Sequence, residues 1–252
     1  MDNNTLISNV KQKDIYYTHY GNSIYSDLWY CDNKNKICIT FTPRGGCTIS
    51  FQQFLDLVGL LDDCLKYGIT NPIKIHGYRI DIILQNSIKK NIDELIKNNY
   101  TFIKFIMNPY IRAVSIFRCQ SVNVSFREHL KDIINNKTNN YTHSDKYHNG
   151  IQYIDHEEKI ITKYIKIDKY ETYQVKLANN SLYTFDVNKF TSEHHGKKTD
   201  DTSFCGDKPK DDVNEKLPKS YKYFYDDEIQ KIVETIYEKD IKYYGYDFDD
   251  FD

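Results

Sequence analysis

The segment Thr42-Pro43-Arg44-Gly45-Gly46-Cys47-Thr48 combines the residue types that hold an anion. Adjacent glycines let a backbone approach a ligand closely, and Arg44 adds a forked, permanently charged donor. A β-branched run, residues 37–42, comes before it, and an apolar pattern at helical spacing follows. A loop joining a buried strand to a helix N-terminus gathers backbone N–H groups at the positive end of the helix dipole, an arrangement suited to phosphate or sulfate. An ordinary glycine turn is the bland reading of the same residues. A Walker A loop, GxxxxGK[ST], is absent: Cys47 fills the lysine slot before Thr48, which disfavours a Mg-ATP kinase or GTPase.

A second group lies around Asn108-Pro109, an N-cap residue followed by proline at the first helical position. Arg112, Ser115 and Arg118 follow on that helix. The chain is rich in Lys and holds only five arginines, Arg44, Arg79, Arg112, Arg118 and Arg127, so each hints that a planar fork is wanted there. For proton transfer, His76 is the first candidate and His148 the second, because imidazole titrates near neutrality. His143, His156, His194 and His195 lie in polar segments and read as surface residues. No CxxC pair or His-Glu-x-x-His occurs, so no metal site is expected, and the six cysteines read as scattered reduced thiols.

The elements that must position these groups follow from periodicity. Strands are expected at residues 37–42, 73–76, 100–107 and 164–169, and helices from Thr48 to about Gly68, over 80–96, from Pro109 through Phe117, over 125–134, over 171–182 and from Asp226-Asp227 onward. This alternation predicts an α/β protein: a P-loop-like, doubly wound parallel sheet flanked by helices on both faces. One domain is expected over 1–252, with a polar segment at 1–36 anchored by Leu28-Trp29-Tyr30 and a lid at 191–220.

Composition narrows the function classes. Lys and Arg total 34 against 36 Asp and Glu, a net charge of −2 over 252 residues, so a dedicated non-specific nucleic-acid binder is excluded and basic function must be local. Hydrophobic residues make up 40% and aromatics 15%, with 23 Tyr and 13 Phe, enough for a substantial core. No apolar run approaches membrane-spanning length, and no basic start precedes an apolar stretch, so a soluble, cytoplasmic protein without membrane partners is expected.

The first loop resembles the 5′-phosphosulfate loop of the sulfotransferase superfamily, a Pro-Lys/Arg-x-Gly-x-Thr/Ser segment between a strand and a helix. Met107-Asn108-Pro109-Tyr110-Ile111-Arg112-Ala113-Val114-Ser115 is similar to the family's Arg-Asp/Asn-Pro-x-x-Arg-x-x-Ser, with Met107 departing from the first Arg. His148-Asn149-Gly150-Ile151-Gln152 and Tyr170-Glu171 look like segments of carbohydrate sulfotransferases, and Tyr237-Glu238 through Tyr244-Gly245-Tyr246 resembles the family's closing helix.

The resemblance implies transfer of a sulfuryl group from 3′-phosphoadenosine 5′-phosphosulfate, without a metal, to a hydroxyl of a glycan or other acceptor. It implies that Arg44, Gly45, Gly46, Cys47, Thr48 and Ile49 hold the 5′-phosphate and that Asn108 and Ser115 lie at the 3′-phosphate; with Met107 in place of the family's Arg, either Arg112, Arg118, Lys197 or Lys198 supplies the charge, or donor affinity is weak, or the donor lacks the 3′-phosphate. Arg44 would stabilise the leaving group, and His76 or His148 would take the acceptor's proton. A binding protein that has lost turnover and a divergent nucleotide kinase are the competing readings.

Overall fold

The computed structural model describes residues 3–19, 28–67, 74–137, 150–190 and 198–251. The chain divides into two compact units: Met1–Thr42, Gly46–Ile106 and Ile154–Ser192 form the first, and Pro43–Gly45, Met107–Tyr153 and Glu193–Asp252 the second.

In the first unit, α1 (Asn3–Lys11) leads into β1 (Ile15–His19), β2 (Leu28–Asp32) and β3 (Ile37–Phe41). Every residue of β3 is buried, as its β-branched composition requires of a central strand. The chain continues through α2 (Cys47–Val58), α3 (Leu61–Tyr67), α4 (Lys74–Gly77), a π-helix (Tyr78–Leu84), β4 (Ile88–Lys89), α5 (Ile92–Lys97) and β5 (Thr101–Ile106). After β6 (Lys163–Lys166), β7 (Thr172–Lys176) and β8 (Leu182–Asp186) form a separate hairpin.

The main sheet has six strands in the order β4-β1-β2-β3-β5-β6. β3, β5 and β6 run parallel, as does β4 with β1, whereas β1 with β2 and β2 with β3 are antiparallel. The α/β class holds, and the all-parallel sheet is corrected to a mostly parallel one. The antiparallel part comes from the N-terminal segment, where Trp29 and Tyr30 are fully buried as the expected anchor. Tyr30 meets Phe41, Phe51 and Phe54 in one aromatic cluster that seats α2 on the sheet. Each such ring removed from water contributes about 2–3 kcal/mol.

Three local expectations are overturned. Lys74 to His76 lies in α4 rather than a strand, with residue 73 outside the described residues. The helix expected over 80–96 stops early: Asn86 Nδ2 and Ser87 Oγ donate to the carbonyls of Ile82 and Ile83, ending the π-helix before β4. The helix expected over 171–182 is the β7–β8 hairpin, turned through Asn180 at a φ of 66°.

A fourth correction concerns the thiols. Cys31 and Cys38 sit opposite each other on β2 and β3 and are joined in a disulfide, both fully buried.

The second unit contains α6 (Pro109–Phe117), α7 (Phe126–Ile134), β9 (Lys198–Thr199), α8 (Lys210–Glu215), β10 (Leu217–Pro218), α9 (Asp227–Ile236) and α10 (Glu238–Tyr244). Asn108 caps α6, Asp226 caps α9, and Ser125 with Glu128 closes a reciprocal capping box on α7. Phe117, Phe126, Leu130, Phe224, Ile229 and Val233 make its core, joined by Cys205, Val213 and Leu217 from the stretch after residue 198. No helix among the described residues is long and apolar enough to cross a membrane.

Candidate functional site

The chain leaves β3 at Phe41 and opens α2 at Cys47. In the first unit, Gly46 is the N-cap of α2 at a φ of 80°, in the left-handed region that glycine tolerates. An added Cβ there would meet Ile167 Cδ1, the end of a side chain that would have to turn away, so conformation and space both favour glycine. Ser50 turns back, donating to the Gly46 carbonyl from its N–H and its Oγ, each at 3.0 Å. Gly46 offers no side chain to cap the helix. The N–H groups of Cys47, Thr48 and Ile49 therefore head a 12-residue helix dipole, the polarity that attracts an anion.

Beside this end stands a histidine. Cys47 Sγ lies 3.9 Å from His76 Nε2, and both side chains are half-buried. His76 belongs to α4, directly before the π-helix, a helix form frequent at functional sites. Three residues on from His76, the Arg79 guanidinium lies 5.7 Å from the centre of the Phe41 ring, at the end of β3.

In the second unit, Arg44 adopts a φ of 61°, uncommon for a residue with a side chain. Its Nη2 donates to the Ser115 carbonyl at 3.1 Å and reaches Cys119 Sγ, while its Nε is buried without a partner. Arg112 is fully buried. Its Nε donates to the Pro43 carbonyl at 3.1 Å, its Nη1 to the Gly150 carbonyl at 2.6 Å, and the guanidinium lies over the Tyr237 ring. Arg118 donates to Asn214 Oδ1 at 3.1 Å and to the Tyr221 hydroxyl at 3.3 Å.

The start of α6 is held by amide chemistry. Asn108 Oδ1 accepts from the Tyr110 N–H at 2.9 Å. The Gln152 side chain bridges Met107, accepting from its N–H at 3.0 Å and donating to its carbonyl at 2.7 Å. Gln152 and Tyr153 in turn donate their backbone N–H groups to the buried carboxylate of Asp240, each at 2.7 Å.

Burial is the leading cause of three shifted titrations. It pushes the Cys64 thiol and the Tyr237 phenol up to about 12, the latter in spite of the adjacent Arg112 charge. It pushes the His129 imidazole down to about 4, with Asp132 opposing.

Of the residues singled out in the sequence, Cys47 is brought to His76, Arg44 to Ser115, and Arg112 to Pro43. The forks of Arg112 and Arg118 are both engaged by protein acceptors. His143, His148, His194, His195 and Lys197 lie outside the described residues, Lys198 opens β9, and His156 is exposed beside Glu158. Arg79 and Asp240 were not among the expected site residues. The scarcity of arginine was the available signal for Arg79, and Asp240 is the third residue of α10. Among the described residues, no group of three or more His, Cys, Asp or Glu could hold a metal ion. Comparison with family models, with curated proteins and with solved structures gave no match.

Proposed function

We propose that the chain is a sulfotransferase that moves a sulfuryl group from 3′-phosphoadenosine 5′-phosphosulfate to a hydroxyl, on a P-loop-like fold. The observation that carries the reading is the start of α2: a glycine N-cap in the left-handed region, three leading N–H groups, and His76 beside the first residue. Such an end suits the 5′-phosphate, where negative charge accumulates as the sulfuryl group departs. His76 takes the proton of the attacking hydroxyl, a task for a group that accepts and releases protons near neutrality. Arg44 adds positive charge to the same loop sequence. The glycan class of acceptor rests on the resemblance of residues 148–152 and 170–171 to carbohydrate sulfotransferases.

The donor's 3′-phosphate is the weaker part of the fit, because Met107 offers a thioether where the resembled pattern has a guanidinium. This favours, as a second reading, a protein that binds nucleotide or sulfated ligand without turning over. Calorimetric titration with adenosine 3′,5′-bisphosphate and with AMP separates the parts of the argument. Binding of both, with modest preference for the bisphosphate, is expected. Equal affinity removes the 3′-phosphate subsite, and absence of both removes the donor site. Release of adenosine 3′,5′-bisphosphate from the donor in the presence of an acceptor panel then distinguishes an enzyme from a binding protein.

A further inference from the structure

Cys47 is the first residue of α2, half-buried, and its sulfur is 3.9 Å from His76 Nε2. Two independent features thus act on one thiol. The head of a 12-residue helix favours negative charge on the sulfur, and an imidazole within reach accepts the proton that the thiol gives up. The contrast within the same chain is Cys64, 1% exposed and pushed up to about 12 by burial, a thiol kept protonated and out of reach.

We propose that, with no anion at the head of α2, Cys47 and His76 form a thiolate–imidazolium pair, the proton returning to Cys47 and leaving His76 neutral when an anion takes those N–H groups, and that Cys47 is a modification site for hydroperoxides and soft electrophiles. With a hydroperoxide, the sulfur attacks the terminal oxygen, the S–O bond forms and the O–O bond breaks. The leaving hydroxide or alkoxide collects the proton held on His76. Sulfur loses two electrons, the peroxide gains them, and the products are Cys47 sulfenic acid and water or alcohol. The added oxygen is carried by the first residue of α2, the end whose N–H groups an incoming anion would use. No sulfuryl donor is needed for this chemistry.

The test is iodoacetamide labelling of the full chain, read by peptide mass spectrometry at each cysteine across pH. An ordinary thiol has its rate half-point near about 8.5. Cys47 is expected to reach its half-point at least one unit lower, and to label at least tenfold faster at pH 7 than Cys64 and Cys205. A half-point less than one unit below the ordinary value overturns the proposal. In His76→Gln the Cys47 half-point should move up by a unit or more, and an unmoved half-point overturns the pairing. Protection of Cys64 reports that the variant is folded; if it is lost, the wild-type profile alone decides. Hydrogen peroxide followed by a dimedone probe should mark Cys47 first, and marking of Cys64 or Cys205 in its place overturns the oxidation step.

Discussion

The Arg112 guanidinium, fully buried on α6, donates from Nε to the Pro43 carbonyl at 3.1 Å. Its Nη1 does the same for Gly150 at 2.6 Å. A charged fork that satisfies two carbonyls of its own chain is a fastening for the loop residue Pro43. Arg112→Leu should therefore destabilise the protein by about 2–4 kcal/mol, since a buried and a part-buried acceptor lose charge-assisted donors. Urea unfolding monitored by fluorescence measures it, and an unchanged midpoint would show that the two bonds carry no net stability.

At Gly46 conformation and space act together. Gly46→Ala combines a strained φ with a collision against Ile167, and should cost about 2–4 kcal/mol by the usual penalties for a side chain at positive φ and for overpacking. The double variant Gly46→Ala/Ile167→Ala relieves the collision and leaves the strain. Thermal melting should place it above the Gly46→Ala single variant once the measured cost of Ile167→Ala alone is allowed for, and strict additivity of the two changes would contradict the contact.

His129 makes stability depend on pH. Its imidazole is pushed down to about 4 in the fold, whereas an unfolded histidine titrates near about 6.5. Above that ordinary value the residue contributes nothing to the pH dependence. As pH falls from there to about 4, the unfolded chain takes up a proton that the fold refuses, and stability drops by as much as about 3 kcal/mol. His129→Leu should flatten the fall in urea midpoint between pH 7 and 4.5, and a slope equal to that of the wild type would refute the assignment.

Asp240 supports the start of α6 through Gln152. Removing its carboxylate in Asp240→Ala strips the Gln152 and Tyr153 N–H groups of their acceptor and should cost about 2–4 kcal/mol. Hydrogen exchange should then quicken at Met107, whose N–H is held by the Gln152 side chain. Unchanged exchange at Met107 would separate the two links of the network.

Legibility in the sequence followed how local each signal was. Residues 37–48 could be read directly, since a β-branched run, a glycine pair and an apolar helical period each act over a few positions. Asn108-Pro109 was equally plain, and cap and proline stand where expected. The stretch expected as a helix over 171–182 belongs to the hairpin, because Tyr173 and Val175 alternate with exposed neighbours and Asn180 turns the chain at positive φ. The π-helix over Tyr78–Leu84 buries Tyr78, Ile82 and Ile83, a spacing that an ordinary helix also satisfies, so no sequence pattern separates the two. Arg112 illustrates the remainder: residue type predicted a forked donor, and only tertiary structure shows that the acceptors are Pro43 and Gly150.

The Cys31–Cys38 bond joins strands that already pair, so it adds nothing to which strands are neighbours. Its weight falls on sliding. A slip of one residue between β2 and β3 would turn Trp29 and Tyr30 each to the opposite face of the sheet. With the two sulfurs linked at directly opposed positions, that shear is closed off, and in a reduced chain the same alignment would rest on the strand ladder and the burial of those two rings.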